Sequence, residues 1–146
     1  MTQSLAPSIL FLCTGNSCRS QMAEGWAKSL YSDRYQVFSA GIEAHGLNPI
    51  AVQVMREAGV DISNQQSQTL EGIEDVPLDL VITVCSHADE NCPVLPGETQ
   101  KIHVPFDDPP ALAKLAANEE QALRHYRRVR DEIRSFVERL PGMIAG

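Results

Sequence analysis

A chain of 146 residues has room for one domain, and 43% hydrophobic against 21% charged residues is a globular composition. A net charge of −7 with a pI near 5.0 excludes a nucleic-acid binder, which would carry a basic stripe. No basic region precedes Arg19 and the apolar run near Ile9 is too short for a leader or a membrane span, so no membrane contact is expected and the cytoplasm, where thiols stay reduced, is the expected compartment.

The apolar run Ser8-Ile9-Leu10-Phe11-Leu12 predicts a buried strand, and the small polar residues 13–19 a loop. Helical propensity follows over 21–30, with Met22, Trp26 and Leu30 on one face beside Ala23 and Ala27. Tyr35 to Ala40 predicts a second strand, stopped by Gly41. Asn48-Pro49 is a helix start, Ile50, Val54, Met55 and Ala58 give its stripe, and Gly59 ends it. Residues 60–79 carry no clear period. Leu80 to Val84 predicts the third strand and Lys101 to Val104 the fourth. A long helix is expected from about Glu119 to Leu140, with Leu123, Tyr126, Val129, Ile133, Val137 and Leu140 on its apolar face and Pro141-Gly142 as its stop. Its basic run Arg124–Arg130 is flanked by Glu119, Glu120, Asp131 and Glu132 and is expected to be a solvated face. Alternating strands and helices predict an α/β domain, a parallel sheet with helices on both faces.

Ligands of such folds lie at the carboxyl ends of the strands. Cys13-Thr14-Gly15-Asn16-Ser17-Cys18-Arg19 sits at that place, between a strand and a helix. A loop that wraps into a helix start turns several N–H groups to one point and makes an anion site. Gly15 and Asn16 tolerate the positive φ this wrap requires. Arg19 offers a planar fork for two oxyanion oxygens. Cys13 opens the loop, where the N–H field favours its thiolate, and Ser17 or Ser20 is in reach to donate a hydrogen bond to it. The Cys-to-Arg spacing alone is weak evidence, and a tight turn with a buried Cys is the bland alternative.

Cys85 and Cys92 follow the third strand, so they open on the same edge. Ser86 followed by Asp89 suggests a helix cap and a turn or two of helix. Zinc fits poorly, because the gap between the two cysteines is wider than zinc pairs use. Buried spectators or a redox pair remain. Seven helical residues advance about 10.5 Å, whereas a disulfide needs Cα atoms within roughly 7 Å. A Cys85–Cys92 bond therefore requires local unwinding, which Pro93, Pro96 and Gly97 make easier. Asp107 and Asp108 follow the fourth strand as a candidate general acid, or as turn residues before Pro109.

The runs CTGNSCRSQMAEGW, SAGIEAHGLNP, VCSHADENCP, FDDPP and RRVRDEI, in this order and spacing, resemble the thioredoxin-coupled arsenate reductases built on the low-molecular-weight tyrosine phosphatase fold. The resemblance covers most of the chain. It implies one domain over residues 1–146 with a four-stranded parallel sheet, acting as a monomer. It implies Cys13 as nucleophile, Cys85 and Cys92 as relay cysteines, Arg19 as the loop arginine and Asp108 as the acid, with Thr14, Gly15, Asn16, Ser17, Cys18, Arg19 and Ser20 around the oxyanion. Arsenate is then the substrate and thioredoxin the reductant, with no metal or organic cofactor. Cys18 is expected in the back wall of the loop.

Two departures stand out. Relatives that hold a monovalent cation near Asn16, Glu24 and Ser39 use a Thr and an Asp where Gln66 and Gln68 stand here. The stretch Ala111–Gln121 is longer than the pattern leads one to expect. Two rival functions remain. A phosphatase would use the same loop and acid, but phosphatases of this fold place a Tyr where Pro110 stands and have no use for Cys85 and Cys92. A thiol sensor or arsenic-binding protein would use the cysteines without turnover.

Overall fold

The computed structural model describes residues 6–31, 33–73, 75–90, 92 and 99–143. In chain order the elements are β1 (Ser8–Cys13), α1 (Arg19–Tyr31), β2 (Gln36–Gly41), α2 (Pro49–Glu57), β3 (Leu80–Thr83), α3 (Ser86–Glu90), β4 (Gln100–His103), α4 (Pro109–Lys114) and α5 (Glu119–Glu138). Short 3-10 turns cover Leu70–Ile73 and Leu140–Gly142. The four strands form one parallel sheet in the order β2-β1-β3-β4. Every strand therefore ends on the same edge, which gathers the loops after β1, β3 and β4.

Successive strand side chains point to opposite faces. Every residue of β1 and of β3 is buried, so both faces of the sheet centre are covered. That explains the unbroken apolar run Ile9-Leu10-Phe11-Leu12, since alternation would appear only if one face met water. β1 pairs Leu12 with Thr83 and Cys13 with Gly41, which sets the loop after β1 between the ends of β2 and β3.

The caps follow the sequence. Asn48 accepts from the N–H groups of Ile50 at 2.8 Å and Ala51 at 3.1 Å, Pro49 fills the first turn, and Gly59 leaves the helix at φ +88°. Asn118 caps α5 through Gln121 N–H at 2.9 Å. The apolar stripe of α5 buries Tyr126, Val129, Ile133 and Val137 as expected and adds Phe136.

Two expectations need correction, Leu30 and the basic run of α5. Leu30 is exposed, whereas Tyr31 next to it packs against the core. The stretch whose length stood out begins within α4 (Pro109–Lys114), which packs on α5 and ends at the exposed Leu115. The basic run of α5 is only partly a solvated face. Arg127 grips Glu57 of α2 with two bonds of 2.9 Å, and Arg130 donates to the Val54 carbonyl at 2.9 Å. The Arg127–Glu57 pair is exposed, and such pairs contribute about 0–1 kcal/mol, so it orients α2 on α5 more than it holds the fold.

Gly41 closes β2 where three backbone segments meet. A Cβ there would lie 2.2 Å from the Glu43 carbonyl oxygen, 2.7 Å from Asn16 N and 2.8 Å from the Thr14 carbonyl oxygen. None of these can swing aside as a side chain would. Gly41→Ala is therefore expected to cost about 2–3 kcal/mol, read as a fall in Tm of roughly 5–10 °C. Phosphate binding should weaken as well, because the displaced atoms belong to the loop after β1.

Candidate active site

The loop between β1 and α1 is built by where its carbonyls go. The Cys13 carbonyl accepts from Ile42 N–H at 3.1 Å, that of Thr14 from Glu43 N–H at 2.8 Å, that of Gly15 from His45 N–H at 2.8 Å and that of Ser17 from Asn48 N–H at 3.0 Å. The Asn16 carbonyl accepts from Gln21 Nε2 at 3.0 Å. Each peptide unit is planar with its N–H opposite its C=O. Carbonyls turned outward therefore turn the N–H groups of Thr14, Gly15, Asn16, Ser17 and Cys18 toward the centre of the loop, the arrangement that binds anions. Asn16 adopts φ 47°, the left-handed turn that the wrap requires.

A cavity of about 350 Å³ opens over this loop. Cys13, Thr14, Gly15, Ser17, Cys18 and Arg19 line it, with Asp108 from the β4–α4 connection and Pro110 from the first turn of α4. Arg19 reaches across its mouth, donating Nη1 to the Phe106 carbonyl at 3.0 Å and setting Nη2 3.7 Å from Asp108 Oδ1. Asp107 points elsewhere, to Arg128 of α5 at 2.9 Å. Of the two adjacent acids, Asp108 is thus the one at the pocket.

Asn16 and Ser20 are fully buried behind the loop and do not line the cavity. Asn16 Nδ2 donates to Ser20 Oγ and to Ser39 Oγ, each at 2.9 Å, and its Oδ1 accepts from Gln68 N–H at 2.7 Å. Ser20 Oγ, already accepting from Asn16, lies 2.8 Å from Cys13 Sγ and has its proton free for that sulfur. Cys18 is buried, and burial pushes its thiol far above the ordinary range, so it is held protonated.

Cys85 stands at the end of β3 beside this loop. Its Sγ is 3.3 Å from Thr14 Oγ1 and accepts from Ala88 N–H at 3.4 Å. Cys85 therefore occupies the capping position of α3, which the sequence suggested for Ser86. Residues 86–90 are helical, and all four cysteines are free. Cys92 is half-buried beyond α3, while Pro93, Pro96 and Gly97 lie outside the described residues.

Two pocket residues were not singled out from sequence, His45 and Asn48. His45 packs over Gly15, where a Cβ would come within 2.3 Å of its Nδ1, and its Nε2 lies 2.7 Å from Glu43. Asn48 donates from Nδ2 to the Tyr126 hydroxyl at 3.1 Å, which ties the rim to α5. The run SAGIEAHGLNP carried the signal, since it leaves β2 on the same edge as Cys13.

Among the described residues, no group of three or more His, Cys, Asp and Glu side chains is placed to hold a metal ion. The surroundings of Glu24 also fit a monovalent cation poorly. Glu24 accepts from the Ser39 hydroxyl with one carboxylate oxygen and pairs with Lys28 at 2.5 Å with the other. The Gln68 amide donates to the Ser39 carbonyl at 3.0 Å, which puts a donor N–H where a cation would need an acceptor oxygen. An ammonium group already supplies the positive charge there.

Comparison with known proteins agrees with this geometry. Residues 8–144 match the family model described as low molecular weight phosphotyrosine protein phosphatase. The chain is 53% identical over 125 residues to an arsenate reductase of Halalkalibacterium halodurans and likewise to one of Bacillus subtilis, in each case covering 86% of this chain and 88% of the relative. A solved structure described as an arsenate reductase in the phosphate binding state superposes with a TM-score of 0.74 at 36% identity, over 95% of this chain and 99% of that one. The chain belongs to the low-molecular-weight phosphotyrosine protein phosphatase family, beside relatives that are arsenate reductases.

Proposed function

We propose that the protein reduces arsenate to arsenite through a disulfide relay from Cys13 to Cys85 to Cys92, with thioredoxin as the final reductant. The observation that carries this reading is the second cysteine at the oxyanion loop, Cys85 Sγ 3.3 Å from Thr14 Oγ1, which a phosphatase would not require. Arsenate, a tetrahedral oxyanion, suits the inward N–H groups and the Arg19 fork. The Cys13 thiolate attacks arsenic while Asp108 donates a proton to the departing oxygen, which leaves as water. The Cys85 thiolate then attacks Cys13 Sγ. The sulfur–arsenic bond breaks, its electron pair stays on arsenic, As(V) becomes As(III), and a Cys13–Cys85 disulfide remains. Cys92 attacks Cys85 and expels Cys13 as thiolate, which leaves a Cys85–Cys92 disulfide. The dithiol of thioredoxin takes up that oxidation.

No metal or organic cofactor enters these steps, and apart from the thioredoxin dithiol every group named belongs to one chain, so a monomer suffices; the reduced thiols the relay starts from suit the cytoplasm. No described helix is long and apolar enough to cross a membrane. The test is arsenate-dependent NADPH consumption with thioredoxin and thioredoxin reductase. Sustained consumption is expected, and its absence, with slow hydrolysis of an aryl phosphate as the only activity, would return the protein to the phosphatases.

A further inference from the structure

The end of α3 is fastened to the sheet by one carboxylate. Asp89 Oδ1 accepts from the buried Thr83 hydroxyl at 3.1 Å and pairs with Lys101 Nζ of β4 at 2.9 Å. Lys101 Nζ also reaches the Asp89 main-chain carbonyl at 3.3 Å. His103 Nδ1 lies 2.9 Å from Thr83 Oγ1 and 3.9 Å from Asp89. A five-residue helix has little stability of its own, so contacts of this kind decide whether it stays wound. The same two charges act on Cys92 in opposite senses. Burial raises its thiol, Lys101 favours the thiolate and Asp89 opposes it.

We propose that Asp89 and Lys101 are positioning residues of the relay, forming a latch that keeps α3 wound and must part before Cys92 reaches Cys85. The inference rests on the relay reading above. With α3 wound, Asp89 neutralises Lys101 and pins the last turn of that helix. Cys85 caps the start of α3 and Cys92 follows its end, so in this proposal a bond between the two sulfurs closes across the helix and unwinds it. Unwinding carries Asp89 away, whereas Lys101 stays on its strand.

The two partners therefore have separable effects. Asp89→Asn and Lys101→Gln each release the latch, so both make the Cys85–Cys92 disulfide about threefold harder to reduce, a threefold change being about 14 mV for this two-electron couple. Only Asp89→Asn also speeds the attack of Cys92, by a further factor of about three, because Lys101→Gln removes the cation that the thiolate uses. Lys101→Arg restores wild-type values in both measurements.

The experiment equilibrates each full-length variant in dithiothreitol redox buffers. It then follows arsenate-driven formation of the Cys85–Cys92 disulfide in a single turnover by thiol alkylation and mass spectrometry. Equal potentials in wild type and both variants would overturn the latch, and so would equal rates for Asp89→Asn and Lys101→Gln. If wild type itself never forms the Cys85–Cys92 bond, it is the relay reading that fails.

Discussion

Replacing Cys92 with Ser is expected to stop the protein after one turnover and to leave Cys13 bonded to Cys85. The reason is positional. Cys13 and Cys85 flank the same loop, and nothing else described at that edge offers a free, reactive thiol, since the Cys18 sulfur is buried and held protonated. A burst of one arsenite per protein is expected, followed by a steady rate lower by at least about 10³-fold, the scale on which losing one member of a catalytic unit acts. Peptide mapping of the arrested protein should show Cys13 joined to Cys85. Continued turnover with thioredoxin would reverse the order of the two exchanges. In the intact protein burial holds the Cys92 thiol above its ordinary range, so its thiolate fraction, and with it the second exchange, grows with pH. Single-turnover formation of the Cys85–Cys92 bond should be faster at about pH 8.5 than at about pH 7.

Arg19→Lys is expected to lower kcat/KM for arsenate by about 10²–10³-fold, although the charge is kept. The Arg19 guanidinium does what an ammonium cannot: it donates to the Phe106 carbonyl at 3.0 Å while its other nitrogen lies 3.7 Å from Asp108. The β4–α4 connection is thereby held against the loop after β1. A point charge on a flexible stem would lose both the two-pronged grip on the oxyanion and the link to the acid. Steady-state kinetics with arsenate, and competition by phosphate, should show the loss in kcat as well as in KM. An effect confined to KM would mean that Arg19 only attracts the anion.

Much of this was legible before any coordinates. The four strands, α1, α2 and α5 were readable from short β-favouring apolar runs and helical stripes, sharpened at α2 by the start Asn48-Pro49 and the stop Gly59. The sharing of one edge by Cys13, Cys85 and Asp108 followed from parallel topology, and the structure brings the three loops together there. What escaped were long-range polar contacts, which leave no local period. Asn16 looked like a pocket residue because it lies in the loop, yet its side chain turns inward to Ser20 and Ser39. His45 and Asn48 reach the rim from a connection that carries no hydrophobic pattern. α4 is only six residues long, too short to announce itself beside the much longer α5. Cys85 as a helix cap was missed because a thiol is not an expected capping group.

The outward bonds of the Cys13–Ser17 carbonyls have an energetic consequence. The recess is wired to its neighbours before any oxyanion arrives, so little conformational entropy is surrendered when one enters. Binding free energy is then left over for charge that develops during the reaction, and dipoles already fixed in direction need no reorientation at that moment. A receptacle of this stiffness discriminates by shape: tetrahedral oxyanions should compete with one another for it, and planar ones such as nitrate should not.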